Sequence, residues 1–458
     1  MGRPRPQPAL WRHEHLIAAL PALAYLERAS VHVRLGWLPK LEAIETKIAV
    51  GQHQYADAMT AAKLERSYFA MTRLTGRRVR GVPGELRALM MNIDAATSDV
   101  DVVRRIYLEV KPALAARYAE LIEKADRVLD AHLLEVLEPA LAETERQIAW
   151  AKQTLGTRKL APARVTKLLA AGGGRRVPRD KWLWEPLDRA PRCVRIAPLV
   201  RVRPGKLAHR LADAPGTRGA IGEFFHHLTG TELSTMELYA RCCYEHPTMP
   251  EEFHQDYSRV IWDEARHAAL ALRGAAKFGV PFGTMTIDVS SYDANYEYRS
   301  RKPGTRDELL WRLLIQGTFQ ESLIIEGFPL QAKKMRFAKF EDAARVAEVL
   351  AEEEVSHVAI ALKWARYLCG GDKQRVLDER AAAHLYQHQN VMEARRRYVA
   401  EDPDRAIAET EKLQAYGKAA KKRFPFSLKV YVNRPARRAA GFTDQEIEQI
   451  VSWGYFYT

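Results

Sequence analysis

Two Glu-x-x-His pairs, each with a lone glutamate some thirty residues upstream, limit what this chain can fold into. The pairs are Glu264-Ala-Arg-His267 and Glu354-Val-Ser-His357. On a helix, residues i and i+3 share a face, so a carboxylate and an imidazole so placed can reach one ion together. Glu232 lies 32 residues before Glu264, and Glu321 lies 33 before Glu354. In a helix hairpin, residues level with each other are equidistant from the turn. The first pair centres on Thr248, inside His246-Pro-Thr-Met-Pro250, the strongest turn signal in the region. The second centres near Phe337, where no Gly or Pro marks a turn, and Asp342 is the candidate cap of the returning helix.

Apolar neighbours (Leu228, Leu233 and Met236; Ile324 and Ile325) put these carboxylates against a core. Buried charge is costly unless it is paired or bound to metal. The expectation is an all-α fold: a ferritin-like four-helix bundle whose dinuclear site is held by Glu232, Glu264, His267, Glu321, Glu354 and His357. Glu237 and Glu326 each follow a proposed ligand by five residues, which on a regular helix is a turn of about 140° away. They join the site only if a π-bulge brings them round. Oxygen-rich ligands with two imidazoles suit two iron ions, with Mn/Fe or di-manganese pairs as alternatives. Tyr239 and Tyr244 lie near in sequence as electron donors or plain core residues.

Helical periodicity dominates the chain. We expect a helical domain at 1–155, a basic Pro/Gly-rich linker or wrapping segment at 156–218, the metal domain at 219–371, and C-terminal helices with a basic tail at 372–458. Ser427–Val432 is the one strand-like run. No apolar run reaches about 18 residues, so no membrane helix is expected, and the first residues lack a signal-peptide pattern. Four cysteines, two of them adjacent, make a disulfide framework improbable and fit a cytoplasmic location. The net charge of +14 gathers at 157–210 and 412–438, which keeps a nucleic-acid partner as a minor alternative to a solvated surface.

The N-terminal region reads as a copy that lost its metal. Asp57-Ala-Met-Thr60 lines up with the first Glu-x-x-His pair and Thr144-Glu-Arg-Gln147 with the second; Glu27 precedes Asp57 by 30 residues. His53 lies one turn before Asp57, as a residual ligand or a core histidine.

Residues 221–371 resemble the uncharacterised ferritin-like family known as DUF455. The resemblance rests on Thr231-Glu-Leu-Ser-Thr-Met-Glu-Leu238, Phe253 with Asp263-Glu-Ala-Arg-His267, Glu321 with Glu326-Gly327, and Glu354 with His357-Val-Ala359. Family members often carry a histidine two residues before the first glutamate. Here that position is Gly230, and His226 and His227 lie one turn further back. Similar bundles include oxygenases, desaturases, a transfer-RNA hydroxylase and iron-storage proteins, so fold alone does not choose a reaction. One loaded and one empty bundle, with large extra segments, favour a non-haem di-iron oxidoreductase. It would activate dioxygen to oxidise or oxygenate a small organic substrate, fed by an external electron donor, as a monomer or homodimer. The alternatives are an iron-binding or peroxide-detoxifying protein and a nucleic-acid hydroxylase. AAGGGRRVP matches neither a dinucleotide fingerprint nor a P-loop.

Overall fold

The computed structural model describes residues 13–73, 78–156, 160, 162–170, 176–178, 201–202, 214–285, 287–288, 304–429 and 432–449. Helices dominate these residues. In order they are α1 (His13–Trp37), α2 (Ile44–Thr72), α3 (Gly84–Asp94), α4 (Asp99–Arg105), α5 (Lys111–Lys124), α6 (Ala131–Leu155) and α7 (Pro162–Ala170). There follow α8 (Arg218–Glu245), α9 (Glu251–Lys277), α10 (Arg306–Leu314), α11 (Glu321–Phe337), α12 (Glu341–Leu368), α13 (Lys373–Glu401), α14 (Pro403–Arg423) and α15 (Arg434–Ala439). Two π-helical segments, Ile106–Val110 and Ile315–Gln320, join α4 to α5 and α10 to α11. Four short strands form two ladders: β1 (Arg78–Arg80) with β2 (Arg176–Pro178), and β3 (Arg201–Val202) with β4 (Ile287–Asp288).

The chain divides into two compact units. Unit 1 is residues 1–190 with 243–262, and unit 2 is residues 191–242 with 263–458. The far end of the α8–α9 hairpin therefore belongs to unit 1. The expected linker at 156–218 lies largely outside the described residues, as does Cys193.

In unit 1, α1 is buried nearly all round from Leu16 to Trp37, its polar residues Glu27, Arg28, Ser30, His32 and Arg34 included, and is a core helix by burial. The stretch Glu14–Lys40 is long and apolar enough to cross a membrane by length and composition, which the sequence reading missed; 89% of its most apolar window is buried in the protein.

In unit 2, one core cluster draws Ile221, Phe225 and Leu228 from α8, Ala271 and Ala275 from α9, Phe328, Ala332 and Met335 from α11, and Ala343 to Ala351 from α12. Four helices thus share one interior. The α8–α9 turn falls at His246–Pro250, where proline cannot continue a helix, and acidic Glu251 and Glu252 open α9 against its positive end. The α11–α12 turn uses Lys339 at φ 68°, a left-handed conformation that glycine usually supplies, which is why no turn signal is visible there. Asp342 does not cap α12. Phe340 holds the cap position without a side-chain bond, and Asp342 instead accepts from Lys277 Nζ at 2.7 Å. Thr305 caps α10 by accepting from the Glu308 amide, while the Glu308 carboxylate accepts from the Gly304 amide, a reciprocal box that fixes where the helix leading to Glu321 begins.

Beyond α12, α13 packs on α10, and Val432, Phe442 and Ile447 from the tail close over Phe319. The strand expected at Ser427–Val432 does not form over Ser427–Lys429 or at Val432; Val430 and Tyr431 lie outside the described residues. Apolar alternation there reflects Leu428 packing with Ala420 and Phe424 rather than pairing in a sheet.

Candidate metal centre

Glu232 comes from α8, Glu264 and His267 from α9, Glu321 from the first turn of α11, and Glu354 and His357 from α12. All six are buried. Their ligand atoms form two groups: Glu232, Glu264, His267 and Glu354; and Glu264, Glu321, Glu354 and His357. Within each, the atoms lie within 4.8 Å of one another. Glu264 and Glu354 belong to both. Glu264 turns Oε2 to His267 Nδ1 at 3.4 Å and Oε1 to His357 Nδ1 at 3.3 Å. Glu354 turns Oε1 to His267 Nδ1 at 3.4 Å and Oε2 to His357 Nδ1 at 2.5 Å. Each of these two carboxylates thus turns one oxygen to each imidazole, and the two imidazole centroids stand 6.0 Å apart.

The outer nitrogens face acids that the sequence reading missed. His267 Nε2 meets Glu353 Oε2 at 2.7 Å, and His357 Nε2 faces Asp263 Oδ2 at 3.5 Å. Arg266 ties both acids together, at 2.7 Å to Asp263 and 3.0 Å to Glu353. Orienting Nε2 this way aims Nδ1 inward, the arrangement that metal-ligating histidines use. Both acids stand next to a ligand glutamate, yet in sequence they read as surface charge.

The residues fit a cation. Both oxygens of Glu264 and Glu354, one of Glu232, and Nδ1 of both histidines are buried without hydrogen-bond partners among the described residues. Buried polar atoms are ordinarily satisfied, and such a concentration suits a bound cation. Electrostatics agree. Burial pushes Glu232 and Glu321 well above the usual carboxylate range, and repulsion from neighbouring carboxylates adds to it. Burial disfavours charge on His267 and His357, but the carboxylates around them win and hold both well above the usual imidazole value. Four carboxylates carry −4 together, which two divalent ions would balance with both imidazoles neutral. These buried clusters could bind a metal ion.

Glu237 and Glu326 join neither group. The π segment lies before Glu321, so Glu326 stays five residues past it on regular helix and stands 3.9 Å from Arg437. Glu237 is fully buried on α8. His226 serves elsewhere: its Nε2 accepts from the amides of Gly283 at 2.9 Å and Met285 at 3.4 Å, and burial lowers its pKa to about 4. Tyr239 donates to Glu321 Oε1 at 2.9 Å, whereas Tyr244 donates to Asp94 in unit 1 at 2.8 Å.

Of the residues aligned with these, Glu27, Asp57 and Gln147 come together in unit 1, around basic side chains. Lys111 Nζ lies 2.9 Å from Glu27 Oε2 and 2.7 Å from Asp57 Oδ1, and Arg34 pairs with Asp57 Oδ2. Tyr118 donates to Glu27 at 2.8 Å and Gln147 to Asp57 at 3.0 Å. His53 contacts the Tyr107 hydroxyl at 3.1 Å through Nδ1; burial first, then the charge of Arg34, lowers its pKa to about 3.

Among known proteins, neither the curated proteins nor the solved structures compared yield a match. A family model described as "Protein of unknown function (DUF455)" matches residues 184–448, a wider span than the 221–371 that the motifs alone covered. That match takes in more than half of the sequence, from before the four-helix core to the tail that closes over Phe319, and the chain belongs to the DUF455 family.

Proposed function

We propose that this chain is a ferritin-like four-helix-bundle protein that binds two iron ions and uses them to activate dioxygen for oxidation or oxygenation of a small organic substrate. The observation that carries the reading is the sharing of Glu264 and Glu354 by two buried ligand groups. A three-oxygen, one-nitrogen donor set around each ion suits iron or manganese better than tetrahedral zinc. A reduced iron pair would supply two electrons and open coordination positions for dioxygen.

The protein's part is position and charge. Glu264 and Glu354 would each reach both ions, and Glu232 and Glu321 would each reach one. Glu353 pairs with His267 Nε2 and so favours Nδ1 as the inward lone pair, and Asp263 faces His357 Nε2. Burial of all six residues keeps bulk water from the centre. Electrons must come from outside, since no flavin or nicotinamide fingerprint is present in the sequence.

The test is anaerobic loading with ferrous iron, then exposure to oxygen. The reading expects about two irons per chain and, with reductant supplied, oxygen consumption that continues past the amount needed to oxidise the bound iron. One round of iron oxidation with the ferric product retained supports iron handling instead. No iron uptake overturns the metal reading altogether.

A further inference from the structure

We infer that the two ion positions are unequal, with Tyr239 and Gln316 making the Glu321 side the tight one and Glu232 closing an exchangeable one. This rests on the dinuclear reading above. Glu321 Oε1 accepts from the Tyr239 hydroxyl at 2.9 Å and from Gln316 Nε2 at 3.1 Å, and Gln316 Nε2 also reaches Thr235 Oγ1 at 3.2 Å. Two donors on one oxygen set the carboxylate plane before any ion arrives and leave Oε2 to bind it. Glu232 has no such clamp: its Oε1 lacks a hydrogen-bond partner among the described residues, and its Oε2 stands 3.6 Å from His267 Nδ1.

The clamp depends on the π segment. The Glu321 amide donates to the Gln316 carbonyl, a five-residue step. On a regular helix a residue five before Glu321 points about 140° away. The wider turn stacks Gln316 under Glu321 instead, which is the kind of local distortion found at functional sites. Gly317 makes room for it. A Cβ there would lie 2.5 Å from the Ala361 Cβ and 3.4 Å from the Tyr239 hydroxyl. Thr235 and Tyr239, one turn apart on α8, face the segment from the other side.

A pre-oriented ligand spends less ordering entropy on binding, so its ion is held tighter. Glu232 must order as its ion binds, and it is free to change between one-oxygen and two-oxygen coordination. That makes its ion the one that exchanges and that accepts an outside ligand.

Titration of the metal-free full chain with Co(II), followed by visible absorption, reads both positions. Wild type is expected to fill in two steps with distinct spectra. Tyr239→Phe keeps the ring and removes the clamp. It should weaken the first step roughly tenfold or more, the usual worth of a ligand-orienting partner, change that step's spectrum, and leave the second step alone. Gln316→Leu should do the same more weakly, and serves if Tyr239→Phe does not fold. An unchanged first step in folded Tyr239→Phe, a loss confined to the second step, or two indistinguishable wild-type steps overturns the inference while the dinuclear reading stands. A wild type that takes up no Co(II) overturns both.

Discussion

In unit 1, two carboxylates, Glu27 and Asp57, close on two basic side chains, Lys111 and Arg34. In unit 2, four carboxylates close on two imidazoles, and among the described contacts no lysine or arginine reaches them. The two regions share a local feature and a spacing. Lys111 follows the π segment Ile106–Val110 as Glu321 follows Ile315–Gln320, and each amide donates to the carbonyl five residues back. Thr144 lies 33 residues after Lys111, as Glu354 lies 33 after Glu321. Where unit 2 has Glu321 after its π segment, unit 1 has Lys111, whose ammonium sits against both acids. The lesson is that acids buried together at the centre of packed helices call for positive charge. Unit 1 supplies that charge from its own side chains, while the clusters of unit 2 could bind a metal ion.

The largest effect should come from stripping unit 2 of its donors. His267→Ala with His357→Ala is expected to drop bound metal from about two ions per chain to near zero by elemental analysis. Lys111→Ala should leave the wild-type metal content unchanged. Metal lost equally from both variants would break the comparison, since metal content would then depend on Lys111 as much as on the two histidines.

Next in size is the converse experiment. Lys111 is wholly buried, and Lys111→Met leaves Glu27 and Asp57 without their shared cation. Removing one partner from a buried ion cluster costs about 3–5 kcal/mol. Urea unfolding should show that loss with or without a chelator. For wild type, a chelator should instead lower stability through unit 2, since a ligand at about 100 times its Kd contributes roughly 2.7 kcal/mol. A Lys111→Met protein as stable as wild type would mean that the cluster contributes nothing to the fold.

How much of this was legible beforehand depends on register. The Glu-x-x-His pairs and Glu232 are visible because regular helices keep i and i+3 on one face and because His246–Pro250 announces its turn. Lys111 was not, since it follows a π segment, and a five-residue step breaks the periodicity by which a face is traced. Glu321 sits after a similar segment and was reached only through its spacing from Glu354. The α11–α12 turn was silent because Lys339 takes a conformation with no residue-type signal. Glu353, Asp263 and Tyr239 look in sequence like ordinary surface acids and a core ring; their roles arise from neighbours on other helices.

The two regions should also part company on the acid side. Burial would raise the Asp57 pKa, but Lys111 and Arg34 outweigh it and bring it from 3.8 to about 2. A depressed carboxylate contributes stability that is complete above its unfolded value and is lost as pH falls through its folded one. That shift is worth roughly 2 kcal/mol between about pH 4 and pH 2. His53, at about 3 against an ordinary 6.5, adds a loss of the same sign at higher pH, so the measurement belongs in a His53→Gln background. Adding Lys111→Met should flatten the acid limb, because Asp57 then titrates closer to its unfolded value. An acid limb of unchanged steepness would show that Asp57 does not depend on Lys111.

The smallest expected effect tests the outer layer, where both regions keep a carboxylate at corresponding positions. Glu353 holds His267 Nε2, while Glu143 accepts from Gln147 at 2.9 Å and pairs with Arg146 at 2.6 Å. Arg146 is 61% exposed, so that pair is solvent-screened and worth at most about 0.5–1 kcal/mol. Glu143→Gln should therefore leave both stability and metal binding nearly as they were. Glu353→Gln removes the acceptor that keeps the His267 proton on Nε2, and should weaken one of the two ions about tenfold, which is 1.4 kcal/mol. If Glu353→Gln proves as silent as Glu143→Gln in Co(II) titration, the outer acids are remnants in both units, and His267 is oriented by packing alone.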